Sequence, residues 1–201
     1  MEREIELALE VLRRGGLLLY PTDTVWGIGC DATNEEAVAK VYALKRSTDK
    51  RSMLVLCANA DMVVRYVDKA PGIAFEVMEM ATKPLTLILP GATGVAANLI
   101  PEEKTLGVRV PDHEFCRQLL RKFGRPIVST SANISGEATP KNLAEVVKEI
   151  VEGVDFVVNP RFQGRPTAKP SAIMAFGEGG EVTIIREKPT LCGPNGQRQR
   201  R

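Results

Sequence analysis

The chain has 201 residues, 44% hydrophobic and 26% charged, enough apolar matter for a core that needs no disulfide or metal staple. Its formal net charge of +2 demands no polyanionic partner, and no apolar run approaches the ~20 residues that cross a bilayer, which excludes a membrane-embedded protein. The acidic start Met1-Glu2-Arg3-Glu4-Ile5-Glu6 lacks an apolar stretch, so no secretory signal is expected and the cytoplasm is the expected compartment.

Residues 2–14 read as an amphipathic helix with Ile5, Ala8, Leu9 and Leu12 on one stripe, stopped by Gly15-Gly16 and followed by a strand over 17–20. Thr33-Asn34-Glu35-Glu36 has the form of a capping box and predicts a helix over about 34–46, after which Met53 to Cys57 reads as a buried strand. Pro71 suits the first turn of a helix that turns Phe75, Met78 and Ala81 inward, before a strand over 85–89. A strand over 106–110 leads to Asp112, expected to cap a helix bearing Phe115, Cys116, Leu119, Leu120 and Phe123 and stopped by Gly124, and a strand over 126–129 follows. Thr139-Pro140 predicts a helix through Val146, Val147 and Ile150 to Gly153, and strands near 155–158, 171–176 and 181–186 close one α/β domain. After Glu187 the composition shifts to Gly, Pro, Gln and Arg, so a domain over 1–187 and a flexible basic tail over 188–201 are expected.

Several chemistries are disfavoured. Cys30, Cys57, Cys116 and Cys192 are widely spaced with no C-x-x-C, and His113 is the only histidine, which argues for reduced thiols and against a zinc site. Gly27-Ile28-Gly29-Cys30-Asp31-Ala32 formally fits G-x-G-x-x-A, but the preceding strand does not run into the first glycine; the glycines are expected to permit a tight loop. There is neither a P-loop nor a G-x-S-x-G elbow, and His113 lies at a helix start, a place more often structural than catalytic.

What stands out is a pair of hydroxyl-rich runs, Tyr20 to Asp31 and Ser129 to Gly136, each following an apolar strand. Such junctions put backbone N–H groups and hydroxyls at a sheet edge, where open α/β folds take small charged ligands. The cluster Lys45-Arg46-Ser47-Thr48-Asp49-Lys50-Arg51-Ser52 reads either as a solvated helix terminus or as the basic wall of a polyphosphate pocket. Arg109 interrupts an apolar strand and must stand on a solvated face or meet an acid or phosphate.

Six ordered segments across residues 3–186 resemble the threonylcarbamoyl-AMP synthase family, also called the YrdC or Sua5 family. They are Pro21-Thr22-Asp23-Thr24-Val25-Trp26-Gly27-Ile28-Gly29, Leu44-Lys45, Lys83-Pro84-Leu85-Thr86, Thr105-Leu106-Gly107-Val108-Arg109-Val110-Pro111, Ser129-Thr130-Ser131-Ala132-Asn133 and Lys169-Pro170-Ser171. The resemblance implies an α/β fold (α+β in some schemes), YrdC-like and three-layered, with a twisted mixed sheet flanked by helices. It implies that Thr24, Arg109, Ser129 and Ser171 hold L-threonine. It further implies that Lys45, Arg46, Ser47, Arg51, Thr105, Ser131, Asn133, Thr139 and Arg186 serve ATP, with Lys45, Arg51 and Arg109 in the catalytic role. Mg²⁺ would arrive with the nucleotide, and no protein-held metal is implied. The chain departs from the family pattern in two places: Ser47 stands where the family's Lys-x-Arg has arginine, and no histidine occurs near Leu56. With 201 residues the short form, without the second domain of the longer Sua5 proteins, is expected.

The implied reaction joins L-threonine, bicarbonate or CO2 and ATP into threonylcarbamoyl-AMP and pyrophosphate, for a downstream tRNA threonylcarbamoyl transferase complex that modifies adenosine 37. Two other readings stand beside it. One is a module binding RNA, double-stranded RNA included, through a basic face and Arg198, Arg200 and Arg201 of the tail; an aromatic content of 5% speaks against base stacking. The other is a paralogue with different carbamoyl chemistry.

Overall fold

The computed structural model describes residues 1–50 and 53–186. Helix α1 (Glu2–Arg13) buries Ile5, Ala8, Leu9 and Leu12, the stripe its periodicity predicts, and β1 (Leu18–Tyr20) follows. The next strand, β2 (Gly27–Gly29), replaces the tight loop expected from its glycines. Gly29 is flat against its neighbours: a Cβ there would lie 2.6 Å from the Tyr20 ring and 2.6 Å from the Val128 carbonyl oxygen, so only glycine lets β2 pass between β1 and its other neighbour.

Helix α2 (Glu35–Lys45) is capped by Asn34, whose side chain accepts from the Ala37 N–H. The expected capping box does not form, because Thr33 gives its hydroxyl to the Asp31 carboxylate instead. Strand β3 (Leu54–Leu56) leads to a short helix without a sequence forecast, α3 (Ala60–Val64), and to α4 (Gly72–Met80). In α4 the buried residue is Ala74; Phe75 and Met78 are half-buried, and Ala81, expected inward, is an exposed C-cap. Strands β4 (Leu85–Pro90) and β5 (Thr105–Arg109) precede α5 (Glu114–Phe123), which buries all five residues assigned to its core face and ends at Gly124 with φ +73°. Its N-cap is His113 rather than Asp112, whose carboxylate is taken by Arg117.

Strand β6 (Ile127–Ser131) follows, and the long helix expected from Thr139 to Gly153 shrinks to a 3₁₀ turn at Leu143–Glu145 and the short α6 (Lys148–Glu152). Val146 and Val147 are extended between them, with ψ of 126° and 144°. Strands β7 (Phe156–Val157), β8 (Ala172–Phe176) and β9 (Val182–Arg186) complete one mixed nine-stranded sheet among the described residues, in the order β7-β1-β2-β6-β3-β5-β4-β8-β9, flanked by the helices. Antiparallel β6 joins the two halves, pairing β2 on one side and β3 on the other. Among the described residues no helix is long and apolar enough to cross a membrane. Cys30, Cys57 and Cys116 are buried and unpaired; Cys192 and the tail over 188–201 lie outside the described residues.

Candidate active site

Side chains two apart on a strand share a face, and the sheet uses this to build one cavity of about 610 Å³. Thr105, Gly107 and Arg109 of β5 reach it together, as do Ser129 and Ser131 of β6, Thr86 and Ile88 of β4, and Ser171 and Ile173 at β8. Gly27 of β2 pairs with Ser131 across the ladder and carries no side chain to fill the space. The two hydroxyl-rich runs thus meet as adjoining strands, separated by about a hundred positions in sequence.

Arg109 stands at the carboxyl end of β5 with 4% of its surface exposed. Its Nη1 donates to Thr24 Oγ1 at 2.9 Å, and its Nη2 lies 3.2 Å from Asp23 Oδ1. Nε is buried with no hydrogen-bond partner. The Thr22 hydroxyl donates to the Val25 carbonyl at 2.8 Å, so its contact with Thr24 at 2.9 Å must be one that Thr24 donates. The single proton of Thr24 is thereby spent inside the loop, and toward a ligand Thr24 acts as an acceptor. A buried, half-engaged guanidinium is built for an anion, because an unmade charged hydrogen bond in dry surroundings is costly.

On the facing wall Ser171 and Thr86 share a hydrogen bond of 2.7 Å, and Arg186 Nε donates to the Ser171 carbonyl at 2.9 Å. The segment between β7 and β8 crosses from one edge of the sheet toward the other and is tied down on the way. Gln163 accepts from Trp26 Nε1 at 2.9 Å through its side chain, and its carbonyl lies 3.1 Å from His113 Nε2. Thr167 and Ala168 then donate their N–H groups to the carbonyls of Asp23 and Thr24. One crossing thereby fixes Ser171 against the loop that carries Thr24.

The residues assigned to threonine, Thr24, Arg109, Ser129 and Ser171, all line this cavity, as do Thr105, Ser131, Thr139 and Arg186 from the nucleotide set. The basic cluster divides differently. Lys50 reaches the cavity wall and donates to the Ile100 carbonyl. Lys45 is 3% exposed and sits behind the wall, donating to the carbonyls of Ser131 and Asn133 at 2.6 Å each; burial without a neighbouring acid pushes its ammonium down to about 8. Arg46 takes a left-handed C-cap conformation and turns outward to Glu149 at 2.8 Å. The buried Ser47 hydroxyl accepts from the Asp49 N–H, and the Asn133 amide donates to the carbonyls of Ile134 and Glu137, which makes it a brace of its own loop. Arg51 lies outside the described residues.

Sequence reasoning passed over Asp23, Thr22 and Thr86 as site residues. Each carried a signal: a carboxylate and a threonine inside a Pro-initiated loop, and a lone hydroxyl in the apolar run Leu85-Thr86-Leu87-Ile88-Leu89. Among the described residues no group of three His, Cys, Asp or Glu side chains could hold a metal ion.

Comparison with known proteins gives a consistent picture. A family model spanning Sua5, YciO and YrdC proteins, described as "Telomere recombination", matches residues 10–188. A threonylcarbamoyl-AMP synthase of Pseudoalteromonas translucida is 31% identical over 172 residues, covering 84% of this chain and 91% of that protein. Among solved structures, P. abyssi Sua5 complexed with L-threonine superposes with a TM-score of 0.80 at 26% identity, covering 88% of this chain and 52% of that one. E. coli YciO gives a TM-score of 0.80 at 26% identity, covering 93% and 90%. This chain spans about half the length of the Sua5 protein and nearly all of YciO.

Proposed function

The chain belongs to the Sua5/YciO/YrdC family, and from that membership we propose that it is an L-threonylcarbamoyladenylate synthase, a nucleotidyltransferase acting in tRNA threonylcarbamoyladenosine formation. Its substrates are L-threonine, bicarbonate or CO2, and ATP. The observation that carries this reading is the nearly buried Arg109 at the wall of a cavity lined by hydroxyls. A guanidinium so placed seats an amino-acid carboxylate, while Thr24, limited to accepting, takes a hydrogen from the ammonium or the β-hydroxyl.

The chemistry asks for little covalent help. Neutral threonine amine adds to CO2 and loses a proton to give a carbamate. A carbamate oxygen then attacks the α-phosphorus of ATP, forming the P–O bond of the adenylate as the bond to pyrophosphate breaks. Holding two small reactants in line and compensating negative charge lowers this barrier, which suits a site of Arg, Lys, Ser and Thr without a nucleophile. Mg²⁺ enters with ATP as part of the substrate. In this reading Ser131, Thr105, Thr139 and Arg186 face the nucleotide, Lys50 its phosphates, and Lys45 acts from behind by fixing the Ser131 strand end, while the phosphate role of Arg51 rests on the family resemblance alone. The product is a reactive mixed anhydride, so its fate is transfer to tRNA by a separate threonylcarbamoyl transferase in the same cytoplasm. Pyrophosphate release from ATP by the purified chain should require both L-threonine and bicarbonate, with threonylcarbamoyl-AMP detected by mass spectrometry. Turnover that ignores threonine overturns the assignment.

A further inference from the structure

Asp23 is a buried carboxylate, 8% exposed, that stands behind Arg109 and does not itself line the cavity. It is held from both sides: its Oδ2 lies 3.4 Å from the Asp112 N–H, and its backbone carbonyl accepts from Thr167 of the β7–β8 crossing. Its Oδ1 forms an ion pair with Arg109 Nη2 at 3.2 Å without hydrogen-bond geometry, and Thr24 accepts a hydrogen bond from Nη1. Two anchors on different nitrogens fix the plane of a guanidinium, where a single neutral anchor leaves it free to turn about its stem.

We propose that Asp23 is a positioning residue: its ion pair with Nη2 holds the Arg109 guanidinium in the orientation in which this cavity-lining side chain meets the carboxylate of the amino-acid substrate. The assignment rests on the synthase reading above. It predicts that Asp23 governs capture of threonine and leaves the nucleotide end alone, since its polar partners are Arg109, Asp112 and Thr167 rather than the residues assigned to ATP. Asp23 also compensates the Arg109 charge, so the pair presents a neutral background to a zwitterion.

Calorimetry and steady-state kinetics on Asp23→Asn in the full chain test this. The dissociation constant and KM for L-threonine should rise about 10- to 100-fold, the equivalent of one charge-assisted hydrogen bond, while ATP affinity and kcat at saturating threonine stay within about twofold. Asp23→Glu should recover part of the loss. Unchanged threonine affinity in folded Asp23→Asn overturns the proposal, and so does an equal loss of threonine affinity, ATP affinity and kcat, the mark of a general structural role. If Asp23→Asn does not fold, the wild-type protein decides: separate Arg109 Nη resonances in the threonine-free state support a locked guanidinium, and a single averaged resonance overturns it. A wild-type chain that binds no threonine overturns the synthase reading and the proposal with it, whereas normal binding that survives Asp23→Asn overturns the positioning role alone.

Discussion

Arg109 and Lys45 are both nearly dry cations, and their surroundings set opposite expectations. Arg109 has Asp23 as a counter-charge, so removing it strips the cavity of its anion seat and also strands a buried carboxylate. Arg109→Gln should therefore weaken L-threonine by ~2–4 kcal/mol, with much less effect on ATP, and lower the unfolding midpoint as well. Calorimetry with each ligand, run beside thermal unfolding, separates the two effects. Lys45 has two carbonyl acceptors and no acid, and burial holds its proton more weakly than the usual 10.5. Below pH 8 the ammonium is charged in both folded and unfolded chains, and the folded state bears the whole desolvation cost, up to ~3 kcal/mol. Between pH 8 and 10.5 the unfolded chain binds the extra proton, so stability due to this residue rises with pH. Denaturant unfolding of the wild type relative to Lys45→Met at pH 7.5 and 9.5 should show the wild type gaining at the higher pH; a pH-independent difference would mean that Lys45 keeps its proton in the fold.

At the scale of elements, legibility tracks how much of the structure is local. α1 and α5 were readable because each carries its own apolar stripe and its own glycine stop. β2 was not, since Gly27-Ile28-Gly29 has the composition of a turn and becomes a strand only through β1 and β6 on its two sides. The helix over 139–153 failed for the complementary reason: Val146 and Val147 fit a helical stripe, yet the chain spends them on extended backbone that buries Val146. Caps shifted by one position where the expected capping side chain is engaged elsewhere, Thr33 by Asp31 and Asp112 by Arg117. The strand status of β2 has a measurable consequence. Gly29→Ala should destabilise the fold by ~1–3 kcal/mol, because its Cβ meets backbone oxygen as well as the Tyr20 ring, while Gly27→Ala, whose nearest neighbour is 3.3 Å away, should cost less. Equal denaturation midpoints for the two variants would contradict this account of β2.

Over the whole molecule, the cavity belongs to no single segment: β2, β4, β5, β6 and β8 all lend residues to it, and the order of strands that brings them together is not written in any local pattern. The residue types of the site were legible because hydroxyls and one arginine interrupt apolar strands. Their division was not, since whether Lys45 faces a ligand or the carbonyls behind it depends on how α2 meets the end of β6. The crossing from β7 to β8 is the feature most remote from sequence reasoning, and it can be watched through a single titrating group. His113 is the only histidine of the chain, is buried, and meets the crossing at the Gln163 carbonyl. That contact requires a proton on Nε2, which leaves Nδ1 as an acceptor without a partner among the described residues. Protonating Nδ1 would place an imidazolium in a dry pocket, and desolvation accordingly lowers the His113 pKa beneath 6.5 despite opposing contributions from the Gln163 carbonyl and Asp23. The unfolded chain then takes up a proton before the folded one does. Stability contributed by His113 is therefore complete above about pH 6.5 and is lost as pH falls toward the folded value, at no more than ~1.4 kcal/mol per pH unit. His113→Gln keeps a donor for the Gln163 carbonyl and cannot titrate, so its denaturation midpoint should fall less than the wild type's between pH 7.5 and 5.5. The lone imidazole resonance provides the direct measurement: titration below 6.5 is expected, and titration above it would show that the crossing is not anchored through a neutral His113.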